Sequence, residues 1–289
     1  MLGWQSGDCS SLENCRPMRS GGSSPSPSAI LLNSIERVTV ESFTAKVNLG
    51  ELYYWEPWLG CRKVSEACKN CWGRLYDQII PTTTELPNLS PGTVIFLSSR
   101  TDFFIEDADE YRAEIWEKIK SHGEYIFLIV TKRINRVQYC LPADWGDGYD
   151  NVAIAVTAEN QARADERIPV LLDLPVKHKW VTCSPCLEVI DLSKYIDQIE
   201  FVETCGEKGD PAVIRPTYFE WVEQLSNLCK EHNVRFSLMH IGHKFIKDGN
   251  ILSEPRGITC YHSTNADSLQ LDNCVPIKFK LSFGDYIIK

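Results

Sequence analysis

Short apolar runs alternate with amphipathic stretches from about residue 50 to 245, and this rhythm constrains the fold more than any other feature of the chain. The runs cover residues 52–55, 93–98, 125–131, 152–157, 179–183, 199–204 and 234–239. They are rich in β-branched and aromatic residues, as strands buried on both faces are. Between them lie helix candidates. Residues 108–122 set Tyr111, Ile115, Trp116 and Ile119 on one face, and residues 217–232 do the same with Phe219, Val222, Leu225 and Leu228. Thr217 and Glu220 are spaced as a capping box. Residues 161–174, interrupted by Pro169, and residues 72–80 are two further candidates. Strand and helix in alternation imply a parallel sheet with right-handed crossovers. Six or seven such units predict an α/β fold, a partial or closed parallel (β/α) barrel, with a doubly wound open sheet as the alternative.

The flanks break the rhythm. Residues 1–29 read as a disordered Ser/Gly/Pro-rich tail without the apolar core of a secretory signal, and Cys9 and Cys15 within it as incidental. The barrel domain is expected over 30–249, with a short strand pair in 30–50. Residues 250–289 form a C-terminal β appendage, with strands at 278–282 and 286–288. No stretch approaches the roughly 20 apolar residues that span a bilayer. The formal net charge of −9 argues against broad charge-driven binding to nucleic acid and leaves room for a local basic patch. The 12 cysteines cluster in short spacings, which favours metal-bound thiols in a reducing cytoplasm over disulfides.

In a barrel of this kind chemistry sits at the carboxyl ends of the strands. Just past the apolar runs stand Ser99 and Asp102; Thr131, Lys132 and Arg133; Glu159 and Asn160; Cys183 and Cys186; Cys205 and Glu207; and His240 and His243. Strand-to-helix turns are always polar, so any one of these has a structural explanation. Their number and ionisable character point to a site. The first run leads into Cys61, Cys68 and Cys71. Three thiolates can hold a [4Fe–4S] cluster by three of its irons and leave the fourth open to a ligand. They can also belong to a structural zinc site, which takes four ligands; no fourth follows at finger spacing, so Cys205 or His240 would have to supply it. Cys183 and Cys186, with Cys205 on the neighbouring strand end, read as small apolar packing residues or as part of a substrate pocket, ahead of a second metal or cluster site, a redox pair or a thiol hydrogen-atom donor. Arg133 and Arg136 are candidates to face an anionic substrate. Arg163, Asp165 and Arg167 read as ion pairs along a helix.

Five segments carry a family resemblance. They are the lead Trp55-Glu56-Pro57-Trp58-Leu59-Gly60 into Cys61, Cys68 and Cys71; Thr101-Asp102-Phe103-Phe104; Thr131-Lys132-Arg133; Glu159-Asn160-Gln161 with Ala164-Asp165-Glu166-Arg167-Ile168-Pro169; and Ile190-Asp191-Leu192 with Gly206-Glu207 and Arg215-Pro216. In these the chain resembles the phage-type, radical-SAM-like proteins of unknown function that carry a three-cysteine motif with six- and two-residue spacings. The resemblance runs from about residue 53 to 242. It implies a barrel of radical-SAM type with a [4Fe–4S] cluster on Cys61, Cys68 and Cys71. It also implies S-adenosylmethionine on the open iron, with contacts from Ser99, Asp102, Thr131, Lys132, Glu159 and Asn160.

The implied activity is that of a radical S-adenosylmethionine enzyme. A reducing electron donor would drive cleavage to methionine and a 5′-deoxyadenosyl radical, which would take hydrogen from a substrate. Cys183, Cys205 and His240 are the candidate catalytic residues, and phage-type relatives suggest a nucleobase, nucleotide or nucleic acid as substrate. The chain departs from the family at Cys183-Ser184-Pro185-Cys186, where Cys-Glu-Pro-Leu is usual, at Cys205-Gly206-Glu207-Lys208 and at Met239-His240-Ile241-Gly242. These changes fall on the later strand ends and leave the substrate open. The rival expectation is a non-enzymatic, zinc-stabilised binding module.

Overall fold

In a computed structural model, residues 44–47, 49–71, 76–254 and 264–289 of the chain are described. The tail 1–29, and residues 30–43 of the proposed strand pair, lie outside them. Strands β1 (Thr44–Val47) and β2 (Gly50–Trp55) form an antiparallel pair. From β2 the sheet continues through β3 (Val94–Leu97), β4 (Ile126–Thr131), β5 (Val152–Thr157), β6 (His178–Cys183), β7 (Phe201–Cys205) and β8 (Arg235–His240). Every pairing from β2 to β8 is parallel, and neighbours in space follow chain order. No reversal of strand order occurs, so the sheet is not doubly wound. Its edges, β1 and β8, do not pair with each other, so the seven parallel strands curl into a half-barrel and do not close.

Helices α1 (Asp109–Ser121), α2 (Gln161–Asp173) and α3 (Phe219–Glu231) make three of the crossovers. Their buried faces, with Ile115, Ile168 and Leu225, meet the outward side chains of the sheet, among them Ile95, Phe127, Ile154 and Val181, in the larger core. Asn160 caps α2, its side chain accepting from the Arg163 N–H at 2.9 Å. Pro169 does not end α2, which runs on to Asp173 because Ala164, Ile168 and Leu171 hold its inner face. Among the described residues no helix is long and apolar enough to cross a membrane.

Two local expectations fail. The capping box at Thr217 does not form: Thr217–Tyr218 is a short strand paired with β9 (Phe245–Lys247), and α3 starts at Phe219. The Thr217 hydroxyl instead donates to the carbonyl of Cys186 at 2.8 Å, a buried bond that competes successfully with the cap. A helix over 72–80 is also absent from its described part, residues 72–75 lying outside the description. Ile80–Pro81 pairs with Trp58–Leu59, and the Cys61 N–H donates to Tyr76 O at 3.0 Å, so the return chain is extended. Gly60 permits this approach: its φ is +99°, and a Cβ there would lie 2.0 Å from Gln78 O.

The C-terminal strands sit near their expected places but are no appendage. Strand β10 (Asn250–Leu252) pairs with β9, and β11 (Ile277–Leu281) with β12 (Gly284–Ile288). Along β11, Ile277, Phe279 and Leu281 are buried while Lys278 and Lys280 are exposed, the period of two of a half-buried strand. The buried set meets Leu52, Val94, Ile126, Trp180 and Phe201 on the concave face of the half-barrel, a second core. Phe279 stacks on His178 with ring centroids 4.0 Å apart. Ser282 N–H donates to Gly123 O at 2.9 Å. The Arg235 guanidinium donates to the carbonyls of Val275 and Lys289 at 2.8 and 2.9 Å. All of these anchors lie at or before the amino ends of strands, so the hairpin plugs that end of the half-barrel.

Candidate functional site

The other end of the concave face is open. A cavity there is lined by the carboxyl ends of β3 to β8 and by the loop that carries Cys61, Cys68 and Cys71. Asp102 organises its near side. The carboxylate accepts from Phe104 N–H at 3.0 Å, Thr131 Oγ1 at 2.8 Å and Lys132 N–H at 3.0 Å, and pairs with Arg133 at 3.2 Å. Arg133 in turn lies 3.8 Å from Cys61 Sγ and donates to Arg62 O at 3.0 Å. A chain of charge-assisted contacts thus runs from the β3 and β4 ends to the first thiol.

The cysteine loop crosses the mouth of the cavity. Near Cys61, Arg62 pairs with Glu106 at 3.4 Å and Asp107 at 3.1 Å. The 3-10 turn Glu66–Asn70 meets α2 through Glu66 and Arg163 at 3.4 Å. At the far side, Asn70 Nδ2 donates to Glu207 at 3.3 Å, and Arg215 Nη1 donates to Glu66 O at 3.0 Å. Glu207 and Arg215 are themselves an ion pair, reinforced by the Arg215 N–H at 2.7 Å. The Gly206-Glu207 and Arg215-Pro216 segments therefore hold the loop down. Gly206 is required at this rim, since a Cβ there would lie 2.0 Å from Ile241 O.

All three thiols line the cavity, Cys68 buried, Cys61 partly buried and Cys71 exposed. Burial pushes the Cys61 thiol up, and Arg133 offsets part of the rise. Burial also acts to raise Cys68, but Lys132 and hydrogen bonds from Val64 and Ser65 prevail and hold it below the usual thiol range. As the side chains stand, no three His, Cys, Asp or Glu groups converge on a single metal position among the described residues. The donor chemistry fits a thiolate-bound group: soft sulfur on one loop, with Lys132 and Arg133 lining the same cavity to offset negative charge.

The far wall comes from β7 and β8. Glu203 and Cys205, two residues apart on β7, both face the cavity, as do Met239 and His240 at the end of β8. A register shift between Leu238 and His240 turns both of these last two residues inward. Burial raises Glu203 to about 7 despite a hydrogen bond from Thr182, with Asp272 adding to the rise. Burial drives His240 well below the usual imidazole value, helped by Lys208 and His243. Cys205 is pushed up to about 12 by burial and stays a neutral thiol, 2.6 Å from Ser184 Oγ. Beneath the near wall, Glu56 is raised to about 7 because burial outweighs its hydrogen bonds from Ser99 and Arg100.

The cavity thus unites Cys61, Cys68 and Cys71 with Ser99, Asp102, Thr131, Lys132, Cys205 and His240. Glu159 and Asn160 stand apart from it. Glu159 is fully buried and pairs with Arg167 at 2.8 Å, while Asn160 caps α2. Cys183 and Cys186 pack in the outer core, the small apolar role open to them from the start. Arg136 is held by Asp109 at 2.7 Å, and His243 Nδ1 lies 2.7 Å from Gly209 O. Arg163 pairs with Glu166 along α2, whereas Arg167 reaches back to Glu159 ahead of the helix and Asp165 accepts hydrogen bonds from Gln161 and Tyr195. Glu203 and Glu56 escaped the sequence reading. Their signal was there, a carboxyl within an apolar parallel strand and one in an aromatic lead.

Fold and cavity together define an α/β half-barrel protein with an open cavity at the carboxyl ends of its strands. The chain belongs to the family described as Protein of unknown function (DUF5131), whose match covers residues 77–256. That span holds the strand ends from β3 to β8 and begins just after the cysteine loop. No curated protein matches the chain. No solved structure matches it either.

Proposed function

We propose that the protein is a radical S-adenosylmethionine enzyme, with a [4Fe–4S] cluster on Cys61, Cys68 and Cys71 and S-adenosylmethionine beside it in the same cavity. The supporting observation is the meeting of three thiols from one loop with the polar ends of six parallel strands. When bound and reduced, such a cluster supplies the electron that cleaves S-adenosylmethionine to methionine and a 5′-deoxyadenosyl radical. The chain's own residues do the positioning. Asp102 and Arg133 fix the Cys61 end of the loop, and Asn70, Glu207 and Arg215 fix the Cys71 end. Lys132 faces the cavity and suits the carboxylate of the cofactor's methionine part, and the Ser99 hydroxyl lies on the same wall. A reducing cytoplasm and a reducing electron donor complete the reading, with a nucleobase, nucleotide or nucleic acid as substrate. The test is anaerobic reconstitution followed by iron and sulfide analysis and chromatography for 5′-deoxyadenosine. A Cys61→Ala protein that still forms 5′-deoxyadenosine would sink the assignment.

A second reading has its own observation. Cys205 and His240 line the cavity with the trio, so a fourth protein ligand is at hand for a structural zinc in a binding module. That protein would be colourless, carry zinc and leave S-adenosylmethionine intact.

A further inference from the structure

We propose that Glu203 and His240 form a ring-binding site at the β7–β8 side of the cavity, which takes the N–H-bearing edge of a planar heterocycle of the purine or pyrimidine kind. Glu203 is partly exposed to the cavity, and the hydroxyl of Thr182 at 3.3 Å is its hydrogen-bond donor. Among the described residues it makes no ion pair, unlike Asp102, Glu159 and Glu207 at the same end of the sheet. His240 is only 7% exposed, lines the cavity, and its Nδ1 has no hydrogen-bond partner. A buried polar atom left unpaired is destabilising, a cost that a ligand's own polar edge relieves.

The walls narrow the ligand. Phe96 and Val130 separate the cavity from the inner core, and Met239 adds a thioether, so apolar surface lines the same cavity as the two polar groups. A ring can lie against that surface with its face and meet carboxyl and imidazole with its edge. A phosphate or carboxylate at this point would be repelled by Glu203 in its ionised form. A polyol would leave the apolar wall bare, and an aliphatic ammonium would use Glu203 but not the wall. The same ring chemistry has two sources, the adenine of S-adenosylmethionine and the base of a substrate. The inference deepens the proposed function and rests on it for what is done to the ring, while the ring site itself stands on the cavity.

The experiment is calorimetric titration of the full chain with S-adenosylmethionine, adenosine, guanosine and cytidine, repeated on Glu203→Gln and His240→Phe. Glutamine keeps the shape of glutamate but exchanges one acceptor oxygen for an NH2 donor, and melting temperatures confirm that both variants fold. At least one compound is expected to bind, and Glu203→Gln to weaken it fivefold or more. Loss for S-adenosylmethionine, with or without adenosine, assigns the site to the cofactor's adenine, and loss for a nucleoside with S-adenosylmethionine unchanged assigns it to the substrate. Absence of binding by all four, or a change under fivefold in every affinity for both variants, overturns the proposal. The nucleoside titrations are repeated on Cys61→Ala, where they need no cluster. A wild-type protein that after reconstitution holds no iron and forms no 5′-deoxyadenosine, yet still shows the Glu203 effect, refutes the radical reading and keeps the ring site.

Discussion

The two ends of the seven-strand sheet are made by the same strands and have opposite characters. At the amino end, the concave face is filled by Phe279, Trp180 and Phe201, and polar groups there find partners: His178 meets Glu200 at 2.9 Å, and Arg235 is tied to two carbonyls. At the carboxyl end the same concave face carries Glu203, the unpartnered Nδ1 of His240 and the unpartnered hydroxyl of Ser98. Buried polar groups are normally satisfied. The contrast teaches that apolar packing is concentrated at the plug, while the mouth keeps polar atoms of His240 and Ser98 without partners.

A first way to break this contrast is to find that the mouth holds the fold. On the proposed function, Cys61→Ala should cut 5′-deoxyadenosine formation by roughly 100-fold or more, because it would remove one protein ligand of the proposed cluster. The thiol is only partly buried, so the melting temperature of the metal-free protein should move little. The converse substitution is at the plug. Phe279→Ala removes a side chain 1% exposed and should cost about 3–5 kcal/mol in denaturant unfolding. The folded fraction should still load iron as wild type does.

A pH series sharpens the comparison. Glu56 rises from 4.5 to about 7 on folding, so the native state holds a proton that the unfolded chain has released. Its contribution to stability must therefore fall as pH rises from about 4.5 to about 7, by roughly 3 kcal/mol. Glu56→Gln should flatten that slope in urea titrations at successive pH values. The smallest effect is expected at the far anchor of the cysteine loop. Asn70→Ala removes a partly buried hydrogen bond to Glu207, worth about 1 kcal/mol, and should quicken alkylation of Cys68 measured by mass spectrometry.

The strands were legible in the sequence because burial on both faces leaves continuous runs such as 152–157 and 125–131. The strand ends were legible as a site for the same reason, since polarity returns abruptly at Asp102, Lys132 and Cys205. Spacing cannot tell which way a strand-end residue points. Glu159 and Asn160 look like Asp102 in sequence, yet one pairs with Arg167 beneath the turn and the other caps α2. Glu203 went unnoticed because a single carboxyl in an apolar run resembles an edge-strand residue, and only the curl of the sheet turns it into a cavity. The role of Glu207 and Arg215 depends on a contact across more than 130 residues to Asn70, which no local pattern encodes.

The plug has a consequence for biosynthesis. Val94, Ile126 and Phe201 leave the ribosome well before residues 277–288, which cover them. Until those residues emerge, a growing chain displays a greasy trough with no lid, the kind of surface that chaperones engage and that drives aggregation. Translation that stalls or stops short of Ile277 leaves that trough bare, whatever the condition of the cysteines.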